Sequence, residues 1–202
     1  MKLYYSPGAC SLSPHIVLRE AGVKFDLVRV DLSTHKTEHG KDFNAINPKG
    51  YVPALELDDG QILTEGVAIT QYIADTHPQA KLAPTPGTFD RARLQEQLNF
   101  ISTEFHKAFS PLFSPDISEA AKAATIKNIE RRLDFFNNFL GDGRQYLMGS
   151  TFSIADAYLF TVANWTNAKD INLGKWPNVA AFMARIGARE KVREAMKAEG
   201  LL

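Results

Sequence analysis

The sequence predicts two domains of different class: an α/β domain over residues 1–80 and an all-helical domain over residues 87–202, with 81–86 as linker. Three observations carry this reading. Short β-branched and apolar runs alternate with helical patterns only as far as Thr76. A stretch dense in proline and turn residues follows, from His77-Pro78 to Pro86-Gly87. Beyond it, apolar residues recur at helical spacing and strand signals stop.

In the first part, Lys2 to Tyr5 reads as a strand ended by the turn cluster Ser6-Pro7-Gly8. Ile16, Val17, Leu18 and Ala21 lie at helical spacing, with Ser11 as the expected cap, Pro14 in the first turn and Gly22 as the stop. Phe25 to Asp31 is a second strand, and a strand, helix and strand this close imply a right-handed parallel crossover. Ser33 to Ile46 is polar and is expected to hold a short irregular helix. Asp59-Gly60 then marks a hairpin between Leu57 and Ile62, and a helix over 65–76 closes the unit. The order βαβ, loop or helix, ββα predicts a thioredoxin-like sheet.

In the second part, residues 88–113, 118–140, 153–168, 177–187 and 189–198 read as helices. The first carries Leu94, Leu98, Ile101, Phe105, Phe109 and Leu112 as a core stripe at steps of 4 and 3. Phe152-Ser153-Ile154-Ala155-Asp156 reads as a helix start in which Ser153 and Asp156 form a capping box, Asp standing in for the usual Glu or Gln. Both are therefore structural.

Composition narrows the function. Lys and Arg total 23, as do Asp and Glu, so the formal net charge is zero. The first 80 residues hold 7 basic and 10 acidic groups, the remainder 16 and 13. Neither part has the basic stripe that nucleic acid needs. No apolar run approaches the roughly 18 residues that span a bilayer, and the start of the chain reaches Pro7-Gly8 too soon for a signal-peptide core. The single cysteine, Cys10, cannot form an intrachain disulfide, which suits a reducing cytoplasm. No membrane or nucleic-acid partner is expected.

The chemistry centres on Asn47 to Thr70, NPKGYVPALELDDGQILTEGVAIT. Pro53 opens the strand that begins Ala54-Leu55, the position where a residue without an N–H is tolerated. Were the Val52-Pro53 bond cis, Val52 would turn its N–H and C=O towards an extended, peptide-like ligand; about 5–6% of such bonds are cis. Thr64 is the expected N-cap of the following helix, whose free N–H groups suit a carboxylate while the Glu65 side chain suits an ammonium. Together these fit a small zwitterionic peptide.

Cys10 stands just before a helix, where the dipole and free N–H groups favour a thiolate; the alternative is a small buried hydrophobe. Tyr4, Tyr5, Ser6 and Ser11 are rival hydroxyls in the same region. With no second cysteine, redox cycling would require an external thiol. On the long helix, Asn99, Thr103, His106 and Ser110 form a polar stripe flanked by Glu104 and Lys107, which suits a cleft wall better than an ordinary solvated face. His35 and His39 are four apart, but no third ligand accompanies them and Gly40 argues against a long helix, so no metal site is expected. His15 and His77 read as structural.

The segments YSPGACSLS (5–13), NPKGYVPAL (47–55), LTEGVAI (63–69), LNFISTEFHKAFSPLF (98–113) and FSIADAYLF (152–160) resemble those of bacterial beta-class glutathione transferases, and the resemblance runs end to end. It implies a thioredoxin-like domain, a helical domain carrying an electrophile site and dimer contacts, and a homodimer using glutathione as co-substrate. By the same resemblance Cys10 would face the glutathione sulfur, Val52 before a cis Pro53 would pair with the cysteinyl backbone, and Glu65 and Gly66 would hold the γ-glutamyl end. His106 and Lys107 would lie near the sulfur, and Asn99, Thr103, Glu104 and Phe105 would line the cleft. Many relatives carry serine where Gly66 stands, and a lysine often found near position 35 is replaced, leaving His35 or Lys36 to meet the glycyl carboxylate. The implied activity is conjugation of the glutathione thiolate to electrophilic small molecules in detoxification, with thiol–disulfide exchange through Cys10. The alternatives are reductive dehalogenation of chlorinated aromatics and a non-catalytic glutathione- or ligand-binding stress protein.

Overall fold

The structure is a computed structural model and describes residues 1–202. In chain order its main elements are β1 (Lys2–Tyr5), α1 (Leu12–Glu20), β2 (Asp26–Asp31), β3 (Lys36–Thr37), β4 (Ala54–Glu56), β5 (Ile62–Thr64) and α2 (Gly66–Thr76). Then come α3 (Phe89–Phe100), α4 (Glu119–Phe139), α5 (Ile154–Ala168), α6 (Pro177–Gly187) and α7 (Glu190–Ala198). The chain forms two compact units, one of Met1–Pro86 with Ala188–Leu202, the other of Gly87–Gly187.

The first unit is built on a five-stranded sheet in the order β3-β2-β1-β4-β5. β1 and β2 are parallel with α1 as their crossover, and the remaining pairs are antiparallel. Leu3, fully buried, faces Leu27 on one side and Leu55 on the other. The opposite pleat of the same strands contributes Tyr4, Val28, Val30 and Ala54 to a second cluster, closed by Phe43 and Val52 from the intervening loop. Burial of a side chain such as Phe43 stabilises by about 1.5–3 kcal/mol and fixes the loop that leads to Val52.

The irregular helix expected between Ser33 and Ile46 is not present. The segment makes turns and the two-residue edge strand β3, whose Thr37 and Lys36 pair with Val30 and Asp31. The C-terminal end also departs from the expected division, which carried the helical domain to residue 202. α7 packs on α1, and His15 of α1, fully buried, bonds through Nδ1 to Glu199 just beyond α7 at 2.7 Å. This buried polar contact ties the last segment to the sheet unit.

The second unit is helical throughout. Thr88 caps α3 by accepting the Arg91 N–H, and Ser118 caps α4 by accepting that of Ala121. The single helix expected over 88–113 changes its winding: α3 ends at Phe100, Ile101–His106 forms a π-helix, and Ser110–Phe113 is a 3₁₀ turn. The core stripe survives, with Leu94, Leu98, Ile101, Phe105 and Phe109 all fully buried. Two successive steps of four, 101 to 105 to 109, match the wider π turn. The Ser153–Asp156 capping box is formed in both directions, and no helix is long and apolar enough to cross a membrane.

Candidate functional site

Cys10 lies in the loop between β1 and α1, partly exposed, and its thiol donates to the Val52 carbonyl oxygen at 3.3 Å. The loop is shaped by Gly8, at φ +70, whose N–H donates to Glu199 Oε2 at 2.9 Å. Glu199 Oε1 meets His15 Nδ1, and His15 Nε2 accepts from Arg19 Nε at 2.8 Å. A buried carboxylate from the end of the chain thus holds the turn that precedes the cysteine.

The start of α1 differs from expectation. Ser11 occupies the N-cap position but caps nothing; its hydroxyl, fully buried, exchanges hydrogen bonds with the backbone of Ser6. The N–H groups of Leu12 and Ser13 bond to the carbonyls of Ala9 and Cys10, so they are committed to the turn. Tyr4 donates to Glu56 at 2.6 Å, and burial with that carboxylate pushes its hydroxyl up to about 12. Burial likewise raises Tyr5. Of the hydroxyls near Cys10, Tyr4 and Ser11 are therefore tied into the fold.

The Val52-Pro53 bond is cis. The Val52 side chain is buried in the second cluster, and its C=O already receives the Cys10 thiol. Thr64, the expected cap of α2, belongs instead to β5, and Glu65 takes the N-cap position at φ +70 and ψ 112. No side chain caps α2. The first helical N–H groups, beginning at Gly66, have no acceptor within the helix itself. The Glu65 carboxylate, half-exposed, is met by Lys49 Nζ at 2.6 Å, which also reaches Thr64 Oγ1 at 3.0 Å. His35 stands at φ +53 before β3, with Nδ1 buried and without a partner, near Asn44 and Gly50. Lys36 is exposed on the edge strand.

In the helical unit, the expected residues sit on and beside the π-helix. His106 Nδ1 bonds to Tyr158 Oη at 2.7 Å, and its ring packs edge-on to Trp165. Burial, with a smaller contribution from Lys107, lowers its pKa to about 4, so the imidazole is neutral at physiological pH. Asn99, Thr103 and Lys107 are exposed, Thr103 bonding back to the Asn99 carbonyl. Glu104 is paired with Arg132. Phe105 is the exception: its ring is fully buried between Phe109 and Phe136, so its side chain builds the core and cannot line a cleft. The step from Ile101 to Phe105 to Phe109 in the core stripe was the signal that could have separated it from its neighbours.

Three further residues escaped the sequence reading: Lys49 on Glu65, Glu199 behind the cysteine loop and Tyr158 on His106. Their partners lie 16, 184 and 52 residues away, beyond any local pattern.

The sheet order, the cysteine ahead of the first helix and the cis-proline opposite it define a thioredoxin-like domain followed in sequence by an all-helical unit. Residues 8–76 match the model for the N-terminal domain of glutathione S-transferases, and residues 100–190 match that for their C-terminal domain. Glutathione S-transferase GstA of Escherichia coli O157:H7 is 50% identical over 201 residues, the whole of both chains. The bacterial beta-class glutathione S-transferase of Sphingomonas chungbukensis superposes with a TM-score of 0.97 at 50% identity, again over the whole of both chains. A sphingomonad glutathione S-transferase complexed with glutathione matches at TM-score 0.96 and 48% identity, also over the whole of both chains. The chain belongs to the glutathione S-transferase family, as a bacterial beta-class member.

Proposed function

We propose that this glutathione transferase directs the glutathione thiolate at small electrophiles and that Cys10 adds glutathione-dependent thiol–disulfide exchange. The observation that carries the second part is the contact between the partly exposed Cys10 thiol and the Val52 carbonyl. It sets a protein sulfur beside the backbone group suited to a cysteinyl peptide. The relative complexed with glutathione supports that ligand.

In conjugation, the glutathione sulfur forms a carbon–sulfur bond and the leaving group departs with the electron pair. In exchange, the Cys10 thiolate attacks the glutathionyl sulfur of a glutathione-containing disulfide, a Cys10–glutathione bond forms and the other thiolate leaves. A second glutathione thiolate then attacks the mixed disulfide, releasing Cys10 and forming oxidised glutathione. Glu65, Gly66 and Val52 hold the peptide in this reading, with His35 or Lys36 towards its glycyl carboxylate. Asn99, Thr103, Glu104, His106 and Lys107 contribute from the helical unit, Phe105 through its backbone only. The same reading includes a homodimer acting in detoxification in the cytoplasm.

Parallel turnover with an aryl halide, a small-molecule disulfide and a chlorinated aromatic tests the proposal. Glutathione-dependent turnover of the first two is expected. Turnover of the chlorinated aromatic alone, with release of chloride and oxidised glutathione, would favour dehalogenation instead.

A further inference from the structure

Glu65 is already occupied by an ammonium, that of Lys49, and the backbone on both sides is built to bring them together. Asn47, almost fully buried, accepts the Lys49 N–H on Oδ1 at 3.1 Å and donates from Nδ2 to the Tyr51 carbonyl at 2.7 Å. Gly50, at φ +75, returns its N–H to the Asn47 carbonyl at 2.9 Å. A Cβ on Gly50 would come within 3.1 Å of Asn44 Oδ1, so the turn is specific to glycine here. Opposite it, Glu65 is held at φ +70 between β5 and α2. Lys49 Nζ completes the contact with Glu65 Oε1 and the Thr64 hydroxyl.

We propose that Lys49 is an internal stand-in for the ammonium of the ligand's γ-glutamyl end, released from Glu65 when that ammonium binds. This rests on the glutathione reading above. A carboxylate has lone pairs for both cations, but two ammonium groups on one carboxylate repel each other at contact distance. Binding is then an exchange of one cation for another on Glu65, and the ligand gains less from its amine than it would at a bare carboxylate. The freed lysine stays next to the bound peptide as a positive charge suited to a carboxylate. Lys49 thus sets how strongly the site selects for a free α-amine.

The test compares the dissociation constants of glutathione and of glutarylcysteinylglycine, the analogue lacking only the α-amine, by calorimetric titration of the wild-type, K49M and K49R proteins. The ratio of analogue to glutathione constants is expected to rise about threefold in K49M, the size of an exposed ion pair, and to stay near wild type in K49R. An unchanged or lower ratio in K49M, with glutathione still binding, would overturn the exchange while leaving the glutathione reading intact. Failure of the wild-type protein to bind glutathione at all would overturn both.

Discussion

The Sγ of Cys10 lies 3.3 Å from the carbonyl oxygen of Val52, 42 residues further along the chain. As a thiol, Cys10 donates to the group that a peptide N–H would use. A cysteinyl backbone N–H arriving at Val52 would share this oxygen, which has two lone pairs, and so would set the ligand beside the thiol. The contact depends on two loops, one held by Glu199 beneath Gly8 and the other by Phe43 and Val52 in the sheet cluster.

Glu199 is expected to matter for stability out of proportion to its place near the end of the chain. Glu199→Ala removes the carboxylate that the Gly8 N–H and the buried His15 ring both meet. The loss should be about 3 kcal/mol, the scale of a buried pair deprived of one partner. Denaturant unfolding measures it, and Glu199→Gln, which keeps one acceptor oxygen, should lose less. A change below about 0.5 kcal/mol in Glu199→Ala, the scale of ordinary surface substitutions, would contradict the network.

A buried carboxyl and a partly buried imidazole should oppose each other in the acid limb of the stability curve. Burial raises Asp156 from 3.8 to about 6 despite its bonds from Leu147 and Ser153, whereas burial lowers His106 from 6.5 to about 4. A raised carboxyl contributes stability that is full below the unfolded value and lost as pH rises through 6. A lowered imidazole contributes stability that is full above 6.5 and lost as pH falls through 4. The stability of wild type relative to Asp156→Asn should thus fall between pH 4 and 6. Relative to His106→Gln it should rise between pH 4 and 6.5, each change being at most about 3 kcal/mol. Difference curves of the same sign would refute the pairing.

His106 should contribute to turnover as a neutral hydrogen-bonding ring. His106→Ala is expected to lower kcat by about tenfold to a hundredfold, the scale of one hydrogen bond to a charged group. The helical unit should remain folded, because the core stripe through Leu98 and Phe109 is untouched. Steady-state rates and far-ultraviolet circular dichroism check both halves; unchanged kcat in a folded variant would remove His106 from the reaction.

Much of this was legible in the sequence because it is local. The Asp59-Gly60 hairpin, the Ser153-to-Asp156 box and the buried periodicity from Leu94 to Leu112 each lie within one or two turns of chain. β3 was not legible, since two residues carry no alternation. The π-helix hid in a doubled step of four, and Phe105, which the family resemblance places along the cleft with Thr103 and Glu104, is fully buried as a member of the core stripe. Ser11 and Thr64 have the right chemistry for caps, yet the Ser6 backbone in the same loop and Lys49 fifteen residues away claim their hydroxyls. The contacts of Lys49 and Glu199 depend on residues that only the fold brings together.

The most direct measurement is intact-mass spectrometry of the wild-type and Cys10→Ser proteins after treatment with oxidised glutathione, run beside conjugation and disulfide-reduction assays. One glutathione adduct is expected on the wild type and none on Cys10→Ser. Disulfide reduction should be lost in the variant, while aryl-halide conjugation is retained in part. A wild-type protein that remains unmodified would contradict the role of Cys10, leaving it a half-exposed thiol that merely packs against Val52.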